Sequence, residues 1–206
     1  DYGSAIIHLG MSGSLRIIKD TESPNKHDHV DFLLNNGMGL RFHDPRRFGS
    51  LLWTKDISSH FLFLKLGVEP LSKDFTETYL NLKAEKRRVT IKQFIMNAHI
   101  VVGIGNIYAS ESLFHAGINP KTQTGRISKK RFSALVKSIK NVLESAIKAG
   151  GTTLRNYYKT DGDPGYFKQY LYVYGRKGKP CHICKRKISS ITIGQRSTFY
   201  CKNCQH

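Results

Sequence analysis

Four cysteines near the end of the chain have the spacing of a metal site. They are arranged as Cys181-x2-Cys184-x16-Cys201-x2-Cys204, and the 206-residue chain contains no other cysteine. Two residues between cysteines allow a tight turn to direct both sulfurs at one ion, and two such turns complete a tetrahedral set. The spacing therefore predicts one structural Zn2+ ion with no open position for catalysis. Two disulfides, or thiols without a metal, are the alternatives.

The distribution of charge indicates a polyanionic partner. The chain carries 33 Lys+Arg against 15 Asp+Glu, a formal net charge of +18. Residues 1–72 contain 8 of each sign, so the whole excess lies in residues 73–206. Such asymmetry is typical of nucleic-acid contact. A solubilising basic surface is one alternative, and a basic amphipathic helix on a membrane surface is a weaker one.

The composition also disfavours other classes of protein. No apolar stretch approaches the roughly 18 residues that a membrane span needs, and the chain shows no charged-then-apolar secretory leader. Without a leader, disulfides are disfavoured relative to zinc. The hydrophobic content of 39% argues against wholesale disorder.

The groups that could do chemistry need a scaffold, and the sequence predicts strands followed by helices. Residues 1–55 have the pattern of strands. Within them, Asn36-Gly37 predicts a tight two-residue hairpin turn, because these residues tolerate a positive φ. Short helices are predicted over residues 73–82, 90–98 and 107–116, the last ended by Gly117.

A longer helix is predicted after Ser128, which is a suitable N-cap. Residues 171–206 are predicted to form short strands around the cysteines. The apolar residues of the long helix recur with helical periodicity and predict its buried face: Phe132, Leu135, Val136, Ile139, Val142, Leu143, Ala146 and Ile147.

Seven short segments match one known family together and in its order. They are His8–Ser14, Lys26–Asp31, Asp44–Gly49, Gly103–Glu111, Gly150–Leu154, Val173–Lys177 and Gln195–Cys201. On these segments the chain resembles the formamidopyrimidine-DNA glycosylases, a family of base-excision repair enzymes. The segments run from end to end, so the resemblance covers the whole chain.

The resemblance implies an α+β fold in three parts. A β-sandwich domain, here truncated, would occupy residues 1–72, a helix–two-turns–helix DNA-binding domain residues 73–170, and a zinc finger residues 171–206. Family members begin with a Pro-Glu dipeptide, whose proline amine attacks the sugar, and neither residue begins this chain. We therefore expect about a quarter of the protein, including a lysine on an early strand, to be missing at the start.

An enzyme that acts on a base must take it out of the stack and fill the gap. The resemblance implies that Met11, Arg46 and Phe48 do this. Met11 would be a flexible plug, Phe48 a flat wedge, and Arg46 a donor to the orphaned base. Each could instead be structural, with Met11 in a turn and Phe48 in the core. Arg47 is left open between a structural and a phosphate-side ion pair.

The resemblance also implies a grip on the DNA backbone. The turn at 103–106 precedes a helix, where free N–H groups favour a phosphate, although Asn106 could simply cap that helix. Arg196, on the zinc hairpin, would form a second phosphate clamp and take part in δ-elimination. Residues 152–165 match a region that includes the loop over the flipped base. The full implied DNA-binding set is Met11, His27, Arg46, Phe48, Arg87, Lys92, Asn106 and Arg196.

The implied function is excision of oxidised purines, namely 8-oxoguanine and formamidopyrimidines, from duplex DNA. The abasic strand would then be cut by β,δ-elimination through an imine of the N-terminal proline. Without that proline this chain is expected to be inactive while keeping some DNA affinity. The implied partner is duplex DNA with an oxidised purine or abasic site. No membrane and no obligate protein partner are implied, and a monomer in the bacterial cytoplasm, associated with the nucleoid, is expected.

Three other functions compete with this one. The chain could be a non-catalytic, zinc-dependent DNA-binding protein or an RNA-binding zinc-ribbon protein. It could also belong to the endonuclease VIII branch of the family, which favours oxidised pyrimidines. Met11 together with the segment Asp44–Phe48 resembles the purine branch.

Overall fold

The computed structural model of the chain describes residues 2–151 and 171–206. The described residues fall into two compact units, the first containing residues 2–64 and 148–151 and the second residues 65–147 and 171–206. Strands make up the first unit, and helices followed by a hairpin make up the second. The α+β fold that the sequence predicts is confirmed, whereas the domain limits at 72 and 170 stay predictions. No helix within the described residues is both long and apolar enough to cross a bilayer.

The first unit contains five antiparallel strands: β1 (Ser4–His8), β2 (Ser14–Lys19), β3 (Asp28–Leu33), β4 (Met38–His43) and β5 (Ser50–Thr54). β1 pairs with β5, and a second sheet has the order β2-β4-β3. In β3, half-buried residues alternate with exposed ones, as the two-residue period of a strand requires. Both sheets end at the loops that carry the predicted wedge residues.

The hairpin at Asn36-Gly37 forms, but its loop is longer than predicted. The Leu34 N–H donates to the Met38 carbonyl at 2.9 Å, which leaves the three residues 35–37 between the paired positions. Gly37 has a φ of 75°, the left-handed conformation that a three-residue loop needs at its last position. The two-residue turn was a wrong prediction because an Asn-Gly pair marks the reversal of the chain without setting the loop length.

A buried arginine in β4 fastens the loop that leads into β3. Arg41 is 1% exposed, and its Nε and Nη2 donate to the two carboxylate oxygens of Asp31 at 2.8 and 2.7 Å. Further N–H groups donate to the carbonyls of Glu22 and Ser23. The bidentate pair is directional, and its hydrogen bonds lower the pKa of Asp31. The loop that carries His27 is thereby held against the sheet.

In the part of the chain that the structure describes, four α-helices follow these strands: α1 (Glu77–Ala84), α2 (Ile91–Ile95), α3 (Asn106–His115) and α4 (Lys129–Lys148). The first three overlap the predicted short helices. The hydroxyls of Thr76 and Thr90 accept the Tyr79 and Gln93 N–H groups and cap α1 and α2. α1 therefore begins at Glu77 and not at 73. Gly117, with a φ of 67°, follows the end of α3 as predicted.

α4 buries the face that its periodicity predicts, except at the last member. Phe132, Leu135 and Ile139 are fully buried and belong to the main core of the second unit. The Ser128 hydroxyl accepts the Arg131 N–H at 3.4 Å, as expected of the N-cap. Ile147 is 65% exposed. Its prediction as a core residue is wrong because the last turn of α4 extends past that core.

The C-terminal strands β6 (Ser189–Ile193) and β7 (Arg196–Tyr200) form an antiparallel hairpin. Gly194 and Gln195 join them with φ values of 55° and 60°, the conformation of a two-residue turn that matches strand twist. One cysteine pair precedes β6 and the other follows β7. The hairpin predicted from the cysteine spacing is confirmed.

Candidate metal centre and nucleic-acid interface

The four cysteine sulfurs converge on one point. Their Sγ atoms all lie within 4.8 Å of one another, with 3.9 Å between Cys181 and Cys204 and 3.4 Å between Cys184 and Cys201. Sulfurs bound tetrahedrally to Zn2+ at about 2.3 Å lie about 3.8 Å apart, whereas a disulfide needs about 2 Å. The distances fit one structural zinc ion, as the sequence predicts, and they do not fit two disulfides.

Local backbone geometry prepares the first cysteine pair for the ion. The Lys185 N–H donates to the Cys181 carbonyl at 3.0 Å, which closes the turn between the two sulfurs. The backbone N–H of Arg186 lowers the pKa of Cys184 to about 7. Zinc binds the thiolate form, so this hydrogen bond favours the protonation state of Cys184 that the ion needs.

Gln205 ties the second cysteine pair to the helical part of the unit. It is 1% exposed; its Oε1 accepts the Cys201 N–H and its Nε2 donates to the Ile118 carbonyl, both at 2.9 Å. The neighbouring His206 N–H donates to the Gly117 carbonyl at 3.1 Å. A hairpin this small cannot bury enough surface to fold alone. The metal and these hydrogen bonds together therefore set its position beside α3.

A buried lysine links α2, α3 and the zinc hairpin. Lys92 is 1% exposed, and its Nζ donates to Asn106 Oδ1 at 2.5 Å and to Thr198 Oγ1 at 2.6 Å. A third acceptor is the Ser197 carbonyl, at 3.3 Å. Burial, together with the nearby Arg196 charge, lowers the pKa of Lys92 to about 8. The ammonium thus holds the start of α3 against β7, while the DNA-binding role that the resemblance implies for Lys92 stays a prediction.

Asn106 lies at the first position of α3 and does not cap it. Gly105 is the N-cap residue, so the reading of Asn106 as a simple cap is wrong. Its Oδ1 accepts from Lys92, and its Nδ2 donates to the Ser197 carbonyl at 3.0 Å. Open space surrounds the missing Cβ positions of Gly103 and Gly105. A phosphate can therefore approach the N-terminus of α3 closely.

Arg196 begins β7 and is exposed, beside the two β7 residues that contact Lys92. The structure thus brings Lys92, Asn106 and Arg196 together.

Arg87 is also exposed; its Nε donates to the Lys83 carbonyl at 2.7 Å. Residues 152–165, predicted to include the loop over the flipped base, lie outside the described residues.

In the first unit, the predicted wedge residues are at the surface. Met11 is 70% exposed and Phe48 is 56% exposed, so the reading of Phe48 as a core residue is wrong. The Arg46 guanidinium lies 4.8 Å from the centroid of the Phe48 ring, within the range of a cation–π contact. Two exposed apolar side chains with an arginine beside them form a surface that can replace a base in a stack.

Two residues of the predicted interface have an uncommon backbone conformation. His27 has a φ of 77° and Arg47 a φ of 55°, a region that residues other than glycine seldom occupy. Such conformations cost energy and cluster at functional sites. No carboxylate within the described residues forms an ion pair with Arg47, and its structural and phosphate-side roles both stay predictions.

Two buried carboxylates support these groups, and the sequence does not single them out. Asp44 and Glu111 are each 1% exposed. Glu111 accepts three consecutive backbone N–H groups, from Tyr172, Val173 and Tyr174, at 2.8, 3.0 and 2.8 Å. Both carboxylates lie inside the segments that carry the family resemblance. Apart from the Ser12 hydroxyl, which donates to Asp44, their partners are backbone N–H groups that leave no signal in the sequence.

A four-cysteine hairpin attached to a basic helical unit, with a strand unit before it, defines a zinc-finger protein of mixed α/β architecture. Three family models match the chain. They are the formamidopyrimidine-DNA glycosylase N-terminal domain over residues 1–51, the formamidopyrimidine-DNA glycosylase H2TH domain over residues 66–157, and the zinc finger found in FPG and IleRS over residues 178–206. The chain belongs to the formamidopyrimidine-DNA glycosylase family.

Relatives and solved structures agree with this membership. The formamidopyrimidine-DNA glycosylase of Xanthomonas campestris pv. campestris (strain B100) is 52% identical over 203 residues, which cover 98% of this chain and 75% of that protein. The Lactococcus lactis Fpg in complex with DNA containing an abasic site has a TM-score of 0.87 at 34% identity. A mutant of that protein with Fapy-dG DNA has a TM-score of 0.87 at 33% identity. Each match covers 98% of this chain and 74% of the solved one.

Proposed function

We propose that the protein excises oxidised purines from duplex DNA and cleaves the abasic strand that results. Family membership supports this function, and the similar Lactococcus lactis structures contain DNA with Fapy-dG or an abasic site. The observation that carries the proposal is the exposure of Met11 and Phe48 with Arg46 against the Phe48 ring. A base-flipping enzyme needs such side chains because the vacated stack must be filled.

The two units have different tasks in this proposal. In the first unit, Met11 and Phe48 enter the duplex and Arg46 faces the orphaned base, with His27 at the DNA backbone. Extruding the base costs a few kcal/mol, least for a damaged one. Inserted apolar side chains offset that cost.

In the second unit, we propose that the DNA backbone lies over the start of α3 and the zinc hairpin. Arg196 and Asn106 bind phosphate there. Lys92 keeps both in place through its hydrogen bonds to Asn106 and to the β7 residues that follow Arg196. It also lies near the damaged nucleotide. Arg87, which is also exposed, binds the DNA backbone at a different position. Arg196 also assists δ-elimination. The zinc ion supplies only structure, because its four cysteine ligands fill a tetrahedral site.

The chemical steps are proposed to use the amine of an N-terminal proline as nucleophile and the following glutamate for proton transfer. No Pro-Glu pair occurs in the 206 residues. We therefore propose that these residues on their own bind damaged DNA as a monomer but do not excise the base. The site of action is proposed to be the chromosome in the bacterial cytoplasm, since the relatives named above are bacterial.

A fusion protein tests this function. The N-terminal residues of the Xanthomonas campestris relative that have no counterpart here are placed before Asp1, with the proline amine free. Borohydride should then trap a covalent adduct with 8-oxoguanine duplex DNA, because the imine is reduced to a stable amine. The same fusion with an acetylated N-terminus, and the 206-residue chain alone, should give none. Failure of the free-amine fusion to form an adduct would contradict the proposal, and a preference for an oxidised pyrimidine would favour the endonuclease VIII branch.

Replacing Arg196 by alanine should weaken binding to all duplex sequences alike. One lost phosphate contact should reduce the slope of log K against log salt by about one unit. Fluorescence anisotropy over a salt series measures this slope. Arg186→Ala, an exposed arginine elsewhere on the zinc finger, is the matched control and should change the slope by less. An unchanged slope in Arg196→Ala would count against the clamp.

A further inference from the structure

Asp44 connects the two exposed loops that carry the wedge residues. Its Oδ1 accepts the Ser12 hydroxyl at 2.8 Å, and its Oδ2 accepts the Gly49 N–H at 2.7 Å. Ser12 follows Met11 and Gly49 follows Phe48 in the sequence. One carboxylate therefore bonds to both loops, each time at the residue next to the exposed apolar side chain.

The main chain of Asp44 extends the same connection to a third predicted DNA contact. The Asp44 N–H donates to the His27 carbonyl at 2.9 Å, and its carbonyl accepts the Arg47 N–H at 3.3 Å. The His29 imidazole Nε2 donates to that carbonyl at 2.9 Å. The left-handed backbones at His27 and Arg47 are thus each hydrogen-bonded to the same residue.

The two loops also touch directly, independently of the carboxylate. Gly10 has a φ of 62°, and a Cβ built on it would lie 2.6 Å from the Phe48 carbonyl carbon and 2.7 Å from the Gly49 nitrogen. Only a glycine allows this approach. Because the backbones are in contact, a carboxylate that bonds to both loops can hold them at a fixed separation.

The charge state of Asp44 suits this role. Burial by itself would raise the pKa of the Asp44 carboxyl group, but hydrogen bonds from Gly49, Ser12 and the Arg46 and Arg47 N–H groups outweigh it and lower the pKa. An ionised carboxylate accepts stronger hydrogen bonds than a neutral acid or amide. Asparagine at this position would keep the volume but replace one acceptor by a donor.

We propose that Asp44 is a positioning residue that locks the Met11 loop and the Phe48 loop into one preformed wedge. This proposal rests on the proposed function, in which both side chains enter the duplex. When the wedge is assembled before DNA binding, the two loops lose no further conformational entropy as the base is extruded. This preorganisation improves binding to damaged DNA. Asp44 does not itself need to touch the DNA.

The test uses Asp44→Asn and Ser12→Ala in the 206-residue protein. The matched controls are Asp56→Asn and Ser58→Ala. Asp56 likewise accepts a backbone N–H at 2.9 Å and a serine hydroxyl at 2.7 Å, both from Ser58, but it joins no wedge loop. Amide hydrogen exchange over residues 9–13 and 44–49 measures how firmly the two loops are held. The ratio of affinities for an abasic-analogue duplex and an undamaged duplex measures whether holding them improves binding to damaged DNA.

Both variants should accelerate exchange in these two segments by about tenfold, since one strong, partly buried hydrogen bond is lost in each. The affinity ratio should fall by about tenfold as well, while binding to undamaged duplex and both control variants stay near wild type. Unchanged exchange, or faster exchange with an unchanged ratio, would overturn the proposal. If Asp44→Asn does not fold, Ser12→Ala decides, because it removes only the bridge. A wild-type protein with no preference for the abasic duplex would instead contradict the proposed function, and the exchange rates would still test the lock.

Discussion

Removing zinc is expected to abolish duplex binding while leaving the helical core folded. The zinc finger has its own small cluster of buried residues, which includes Cys181 and Cys201, whereas the main core is built from the helices. Without the ion the hairpin loses most of its folding free energy. Its eight basic residues then lose their fixed positions, and affinity should fall by at least about a hundredfold at moderate salt.

Chelator titration with a metal-sensitive dye should release one zinc ion per chain as anisotropy falls. Far-UV circular dichroism should retain the helical signal throughout. Cys201→Ser should reproduce the loss of binding without chelator. His182→Ala changes a residue between the first cysteine pair that is not a ligand, and it should bind DNA normally. Tight duplex binding by the metal-free protein would contradict the role assigned to the hairpin.

Replacing Glu111 is expected to cause a large loss of stability. Alanine there would leave the N–H groups of residues 172–174, one buried and two partly buried, without this acceptor, and each buried unsatisfied group costs about 1–3 kcal/mol. Together they should lower the free energy of unfolding by about 3–5 kcal/mol, which is a large part of the stability of an ordinary domain. The melting temperature should drop by about 6–20 °C in a protein of this size.

Differential scanning calorimetry and urea unfolding measure this loss. Glu111→Gln keeps one acceptor oxygen, so its effect should lie between wild type and Glu111→Ala. Glu144→Ala removes an exposed glutamate from α4 and should change stability by less than about 0.5 kcal/mol. Equal stability of Glu111→Ala and Glu144→Ala would show that another group satisfies the three N–H groups.

The parts of the structure that depend on short-range spacing are predictable from the sequence. The zinc ligands follow from two pairs of cysteines, because each pair is placed by one local turn. The buried face of α4 follows from its periodicity as far as Ala146, and the prediction fails at Ile147 because a helix can be longer than the core that it covers. The length of the loop at 35–37 was likewise not predictable from its own residues, because the pairing of the two strands sets it.

Groups that depend on long-range or backbone partners are not predictable in this way. Lys92 meets Thr198, which lies 106 positions further along the chain, so its burial could not be read from its neighbours. Asp44 and Glu111 act mainly on backbone N–H groups, which every residue except proline provides. Family resemblance located the segments that contain them, but only the folded structure shows what their carboxylates bind.

The contact between Gly10 and the Phe48–Gly49 backbone constrains recombination between relatives. A crossover between β1 and β4 would combine a Met11 loop from one parent with a Phe48 loop from another. Where the parent that supplies the Met11 loop has a side chain at position 10, its Cβ would lie 2.6 Å from the Phe48 backbone carbon, too close for any rotamer to relieve. Family shuffling should therefore place its crossovers after β5, so that both loops are inherited together from a single parent.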